Sequence, residues 1–340
     1  MNELHLQDKF LIPHFRDDLD YQEVKANTIS QSLIIEEDLQ AFISDSSLNQ
    51  KPYEILLKKY KGDKKTLLSD LIALVQERIA SSRNMALFVN ANKSITLQGI
   101  KLHLFYTSDS VIHGNALFDE NIFSVVQELP YKFNHQGAQI FSFRPDLVFF
   151  VNGIYLGYSE LKSNYTSQSA SKNGRGKVLK DYFEAIKVYH QHIDRNAMLS
   201  DKDKQSVRKD FLKIFESAIH ITTTDIGETY VIRTIADYFD EILATCREGK
   251  FDREEIEKKA HGVFKLYPLL KPEAEKKEKL KELFAALYGK LMIEKEILYY
   301  NFIERDVYVN KGVKEVKDQT GHLISPRPKQ KFGTDKIMSK

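Results

Sequence analysis

The stretch FSFRPDLVFFVNGIYLGYSELKS, residues 141–163, constrains this chain more than any other. Two runs rich in β-branched and aromatic residues flank Asn152-Gly153, a dipeptide suited to the tight turn of a β-hairpin. A sheet seeded here has to accept charge, because Asp146 enters the first strand and Glu160 and Lys162 leave the second. Burying a carboxylate beside a sheet costs on the order of several kcal/mol unless a metal ion or hydrogen bonds compensate.

Glu160 and Lys162 stand two apart on a strand, so their side chains leave the same face. Pro145 donates no ladder hydrogen bond and suits the start of the partner strand. Register then decides whether the three charges meet. A strict two-residue turn sets Asp146 opposite Ser159, facing away from Glu160. One further loop residue, or a bulge at Gly153 or Gly157, sets Asp146 opposite Glu160. An irregular hairpin is predicted.

Around it, Ser32 caps a helical pattern through Leu39, Phe42 and Ile43, and residues 54–80 read as two helices separated by GDKK. MALFVNANKSITLQGIKLHLFY, 85–106, reads as strand, turn and strand, and 119–140 as a short amphipathic stretch with a polar loop. After the hairpin come a loop rich in small residues at 165–177, a helix at 178–195, a strand pair within 217–233 and helices from 235 to 304. Strands mixed with helices in this order predict an α/β fold, a central mixed sheet flanked by helices with a helical C-terminal region.

The 340 residues have room for a sizeable core, and 42% hydrophobic with 29% charged residues is an ordinary globular composition. A net charge of +2 means that nucleic-acid affinity has to come from local patches. Cys246 is the only cysteine, which excludes an internal disulfide and a zinc cluster of cysteines and points to a reducing, cytoplasmic setting. No window approaches the roughly 18 apolar residues that span a bilayer.

Were Asp146 and Glu160 to converge, their carboxylates with the Leu161 backbone carbonyl would offer hard oxygen ligands to Mg²⁺. Lys162 would orient water and offset charge on a phosphate. The spacing by itself suits equally an edge strand whose charges prevent aggregation, with Asp146 paired to Arg144 or Lys162. RPDLVFFVNGIYLGYSELKS resembles the nuclease motif of the R (restriction) subunits of type I restriction-modification enzymes, within the PD-(D/E)xK superfamily. The resemblance implies a restriction-endonuclease-like fold, with Asp146 and Glu160 as metal ligands, Lys162 as the catalytic lysine, and Mg²⁺, or Mn²⁺ in its place, as cofactor. It implies a Gln-x-x-x-Tyr motif on the following helix that contacts DNA or braces the site; Tyr189 matches and Ala185 replaces the Gln. An early acidic residue is implied too, with Glu36 and Glu37 as candidates.

By the same resemblance, residues 1–233 form the nuclease domain, 234–304 a helical connector, and 305–340 a linker leading into an ATP-dependent motor. Gln330 stands where that motor's nucleotide-contacting Gln is expected, and ATP would serve the longer subunit. The implied partners are duplex DNA and the methyltransferase and specificity subunits; the alternative is a non-catalytic module docking the motor onto those subunits. Lys172, Arg175, Lys177 and Lys180 form a basic patch able to meet DNA phosphates, or else a solvated loop. His190 and His192 diverge by about 200° on a helix and cannot share an ion. His103 and His113 have no ligand-spaced neighbours and read as structural.

Overall fold

The computed structural model describes residues 6–298 except 30–31, 93, 109–115, 163–167, 226–227, 233–234, 251–252 and 267–275, together with strands at 302–304, 307–310, 313–316 and 322–324. Helical turns over Gln7–Leu11 and His14–Asp18 lead into β1 (Gln22–Val24), followed by α1 (Glu36–Asp45), α2 (Gln50–Lys59), α3 (Lys64–Ser81) and α4 (Met85–Asn92). Then come β2 (Ser94–Leu97), β3 (Ile100–His103), β4 (Phe123–Gln127), β5 (Tyr131–His135), β6 (Ala138–Phe143), β7 (Leu147–Val151) and β8 (Ile154–Leu161). Helices α5 (Arg175–Tyr189), α6 (Asp201–Phe211) and α7 (Lys213–Glu216) precede β9 (His220–Thr224) and β10 (Thr229–Ile232). The C-terminal region holds α8 (Phe239–Arg247), α9 (Arg253–Val263), β11 (Lys265–Leu266), α10 (Lys276–Tyr288) and α11 (Lys290–Leu298).

The fold is α/β, a mixed seven-stranded sheet in the order β1-β4-β7-β8-β9-β10-β11 flanked by helices. Strands β7 and β8 lie inside it, and every residue of both is buried. They separate two cores. Leu147, Phe149, Val151 and Leu161 face one, with Phe15, Leu39, Phe284 and Tyr288. Val148, Phe150, Tyr155 and Tyr158 face the other, with Val178, Tyr182 and Ile186 of α5. Strand β8 runs parallel to β9, so the chain between them crosses over one face, and α5 to α7 supply that cover.

Several sequence expectations change. MALFV belongs to helix α4, with Asn84 Oδ1 accepting the Leu87 N–H at 2.9 Å, and only the following segment forms the β2–β3 hairpin. A short apolar run suits a buried helix as well as a strand, and packing decided. Residues 123–127, read as amphipathic, are β4, buried between β1 and β7. The first helix starts at Glu36, because Leu33 adopts φ +55° and Ile34 bridges Ile154.

Residues beyond 233 carry the expected helices, and these pack into the same two cores. Tyr288 stacks on Phe149 with centroids 3.8 Å apart, and β11 pairs with β10 in the main sheet. Apolar faces on α10 and α11 remove from water the sheet face that the N-terminal turns leave uncovered. In the tail, Phe302–Glu304 pairs with His322–Ile324 and Val307–Asn310 with Val313–Val316. Gln330 lies outside the described residues.

Candidate active site

The hairpin is irregular. Asn152 and Gly153, at φ +50° and +76°, make a strict two-residue turn that pairs Val151 with Ile154. Between Phe149 and Phe150 the register then shifts, so that Phe150 opposes Tyr155 and Phe149 opposes Gly157. Leu156 is the extra residue of a bulge. Beyond it Leu147 opposes Ser159, which carries Asp146 to the level of Glu160. Alternation along the strands puts Asp146 with Val148 and Phe150, and Glu160 with Tyr158, on the face covered by α5.

The Leu161 N–H donates to Asp146 Oδ2 at 2.6 Å and fixes that carboxylate beside the second strand. Glu160 is 1% exposed. Its Oε1 accepts from Lys162 Nζ at 2.8 Å and from Lys177 Nζ of α5. Its Oε2 is buried and has no hydrogen-bond partner among the described residues. Lys162 Nζ also donates to the Leu161 carbonyl at 2.6 Å, and its own N–H continues the β8–β9 ladder to Thr224.

The electrostatics reflect this crowding. Burial, with the Glu160 charge adding to it, pushes the Asp146 carboxyl up to about 7, against the opposing pull of the Leu161 N–H and the two lysines. Asp181, one helical turn beyond Lys177 and 4.0 Å from its ammonium, is raised to about 6, chiefly by burial. Burial works against the charge of Lys177, yet Glu160, with Asp181 and Asp146 adding to it, holds that ammonium above the ordinary lysine range.

Helix α5 approaches closely because its N-cap is Gly174. A Cβ there would stand 2.0 Å from Thr223 Oγ1 and 3.3 Å from Lys162 Cγ. Thr223 pairs with Glu160 across β8 and β9. Sequence reasoning missed Gly174, Thr223 and Asp181 as neighbours of the site. The four-residue spacing of Lys177 and Asp181 on a helix after Glu-x-Lys is the signal that would have found Asp181.

A family model described as "Type I restriction enzyme R protein N terminus" matches residues 1–206 of the 340. This chain belongs to that family. A search of curated proteins found no significant match. No helix among the described residues is long and apolar enough to cross a membrane.

In this R-protein N terminus the other candidates fall in different places. Glu36 and Glu37 are exposed on the first turn of α1, whose preceding Ile35 N–H bonds the Gly153 carbonyl. They therefore sit at the turn end of the hairpin, a strand length from Asp146, because α1 packs over the turn. Tyr189 donates to the Lys204 carbonyl at 3.1 Å and packs on Phe239, so it braces α5 against its neighbours away from the carboxylates. Ala185 is fully buried in the same core.

The basic patch divides. Arg175 is 6% exposed, bonds the Ser171 carbonyl and lies 4.2 Å over the Tyr230 ring, which makes it a structural residue. Lys177 faces Glu160, Lys180 is exposed, and Lys172 lies in the turn Ala170–Gly174. Arg144 is exposed and pairs with Glu128 at 3.7 Å, and β8 is an inner strand, so the edge-strand reading fits neither residue. His190 bonds Asp194 at 2.8 Å, and His103 packs near Tyr106. His113 lies outside the described residues.

The donor set fits a hard divalent cation. Two carboxylates converge, one buried oxygen has no partner among the described residues, and Asp146 is held protonated first by burial and then by the Glu160 charge, both of which a bound cation would offset. Among the described residues no three His, Cys, Asp or Glu side chains are grouped to hold an ion, so main-chain oxygen and water have to complete the shell.

Proposed function

We propose that this chain carries the Mg²⁺-dependent endonuclease site of a type I restriction enzyme R subunit, hydrolysing phosphodiester bonds of duplex DNA. The observation that carries this reading is the bulge at Leu156, which puts Asp146 level with Glu160 on one face. A hairpin folded for packing alone has no need to set two carboxylates side by side in a sheet interior.

Asp146 and Glu160, with the Leu161 carbonyl, would hold the ion. Mg²⁺ there supplies Lewis acidity toward water and charge neutralisation toward the scissile phosphate. The Leu161 N–H keeps Asp146 in one rotamer. Lys162, anchored on Glu160 and the Leu161 carbonyl, holds its ammonium at the rim of the carboxylate pair, where it orients water and offsets charge gathering on phosphate oxygens. The apolar wall formed by Tyr158, Tyr182 and α5 keeps bulk water from screening these charges. Lys180, and Lys177 when it turns outward, offer cations to the DNA backbone.

In the intact enzyme, ATP-driven translocation precedes cutting, and the specificity and methyltransferase subunits supply site recognition in the cytoplasm. Plasmid cleavage by the assembled enzyme with Asp146→Ala or Lys162→Ala tests the reading. Loss of cleavage with assembly and ATP hydrolysis retained is expected. Undiminished cleavage would overturn it in favour of a docking module.

A further inference from the structure

Glu160 Oε1 accepts two ammonium groups, and the two differ in what else holds them. The Lys162 side chain is 7% exposed and tied to the carbonyl of the adjacent Leu161, which leaves it little room to move. The Lys177 side chain is 41% exposed, comes from a different element, and has a second carboxylate, Asp181, 4.0 Å away on the same helix. The cluster as a whole contains three carboxylates, Asp146, Glu160 and Asp181, and two ammonium groups. A divalent ion arriving at Asp146 and Glu160 meets a cation already seated on the Glu160 oxygen, and like charges at such range repel strongly in a buried setting.

We propose that Lys177 is an exchangeable counter-ion of the metal site, which competes with the divalent cation for Glu160 and is received by Asp181 when the cation binds. Lys177 keeps the carboxylates compensated until the ion arrives, and Asp181 sets how readily it leaves. Both are positioning residues that act through Glu160. The i,i+4 spacing on α5 allows the transfer by side-chain rotation alone, with the helix held still by Val178, Leu179 and Tyr182 in the core. The inference rests on the reading of Asp146 and Glu160 as the ion-holding pair.

Calorimetric titration of the 340-residue chain with Mn²⁺ tests both, without reference to cleavage. Lys177→Met removes the competitor while keeping the aliphatic stem, and binding should tighten about tenfold. Lys177→Arg keeps the charge and should stay within about twofold of wild type. Asp181→Asn should weaken binding several-fold, an effect that disappears when combined with Lys177→Met. Damage to the fold loosens a site, so a gain in affinity is not a structural side effect.

Unchanged or weaker binding by Lys177→Met, with Asp146→Ala abolishing binding, would overturn the counter-ion role and leave the metal site standing. Asp181→Asn weakening binding equally in both backgrounds would make Asp181 act on the ion itself and overturn its role as receiver. Wild-type binding by Asp146→Ala would overturn the site and the counter-ion role together.

Discussion

The two ends of one hairpin treat buried polar groups in opposite ways. At the turn, Asn152 is fully buried and saturated: Oδ1 accepts the Ile122 N–H at 2.7 Å, and Nδ2 donates to the Leu104 carbonyl and to Asn121 Oδ1, both at 2.9 Å. Asn121 extends this network to the Tyr106 and Phe118 carbonyls. At the open end, one Glu160 oxygen is crowded by two lysines, the other has no partner among the described residues, and Asp146 retains its proton up to about pH 7. A satisfied network locks the fold, whereas an unsatisfied one of similar burial is costly to keep and marks chemistry.

The sharpest way to break this contrast is Asp146→Ala at the open end. Cleavage by the assembled enzyme should fall about a thousandfold or more, roughly 4 kcal/mol in the barrier, while the melting temperature does not drop. A lower melting temperature would mean that the open end is structural after all. At the turn, Asn152→Ala should do the reverse. Urea unfolding should show a loss of about 2–4 kcal/mol, because buried main-chain groups of Ile122 and Leu104 lose their partner.

Between these lies Gly174→Ala, which forces a Cβ against Thr223 and Lys162. A loss of about 1–3 kcal/mol is expected, with Mn²⁺ affinity reduced as Lys162 shifts. Unchanged stability and affinity would show that α5 does not clamp the site.

The remaining effect is one of pH. Asp146 titrates near 7 in the fold against 3.8 as an ordinary aspartate, so between those values the folded chain holds a proton that the unfolded chain releases. Metal-free stability should therefore fall as pH rises from about 4 to 7, by up to about 4 kcal/mol relative to Asp146→Asn. Mn²⁺ affinity should rise over the same window, as the ion displaces that proton. Wild type and Asp146→Asn running parallel across this range would remove the contrast between the two ends.

The residues of the open end were legible before any coordinates. Charged residues interrupting apolar strands at 146, 160 and 162 stand out because continuous apolar runs, buried on both faces, rarely admit them. The need for an irregular hairpin was legible too, by a further loop residue or a bulge at Gly153 or Gly157; the structure keeps the two-residue turn and makes Leu156 the extra residue. Lys177 was visible only as part of a basic loop, because its distance in sequence from Glu160 says nothing of how α5 lies on the sheet. Arg175, two residues earlier, looked equivalent and proved to be sealed over Tyr230. Glu36 and Glu37 were misplaced for a related reason: an acidic first helical turn is a local property, and which end of a strand it meets is not.

The chain's own sequence determined the hairpin, its Asn-Gly turn, the identity of the charged residues and the α/β class, because these depend on side-chain period and turn stereochemistry within a few residues. Tertiary structure alone decided where the bulge falls, which cations reach Glu160, and that residues past 233 complete the core around Phe149. Those outcomes depend on which distant surfaces are buried together, a competition among many packings of similar local propensity that only the assembled sheet and helices resolve.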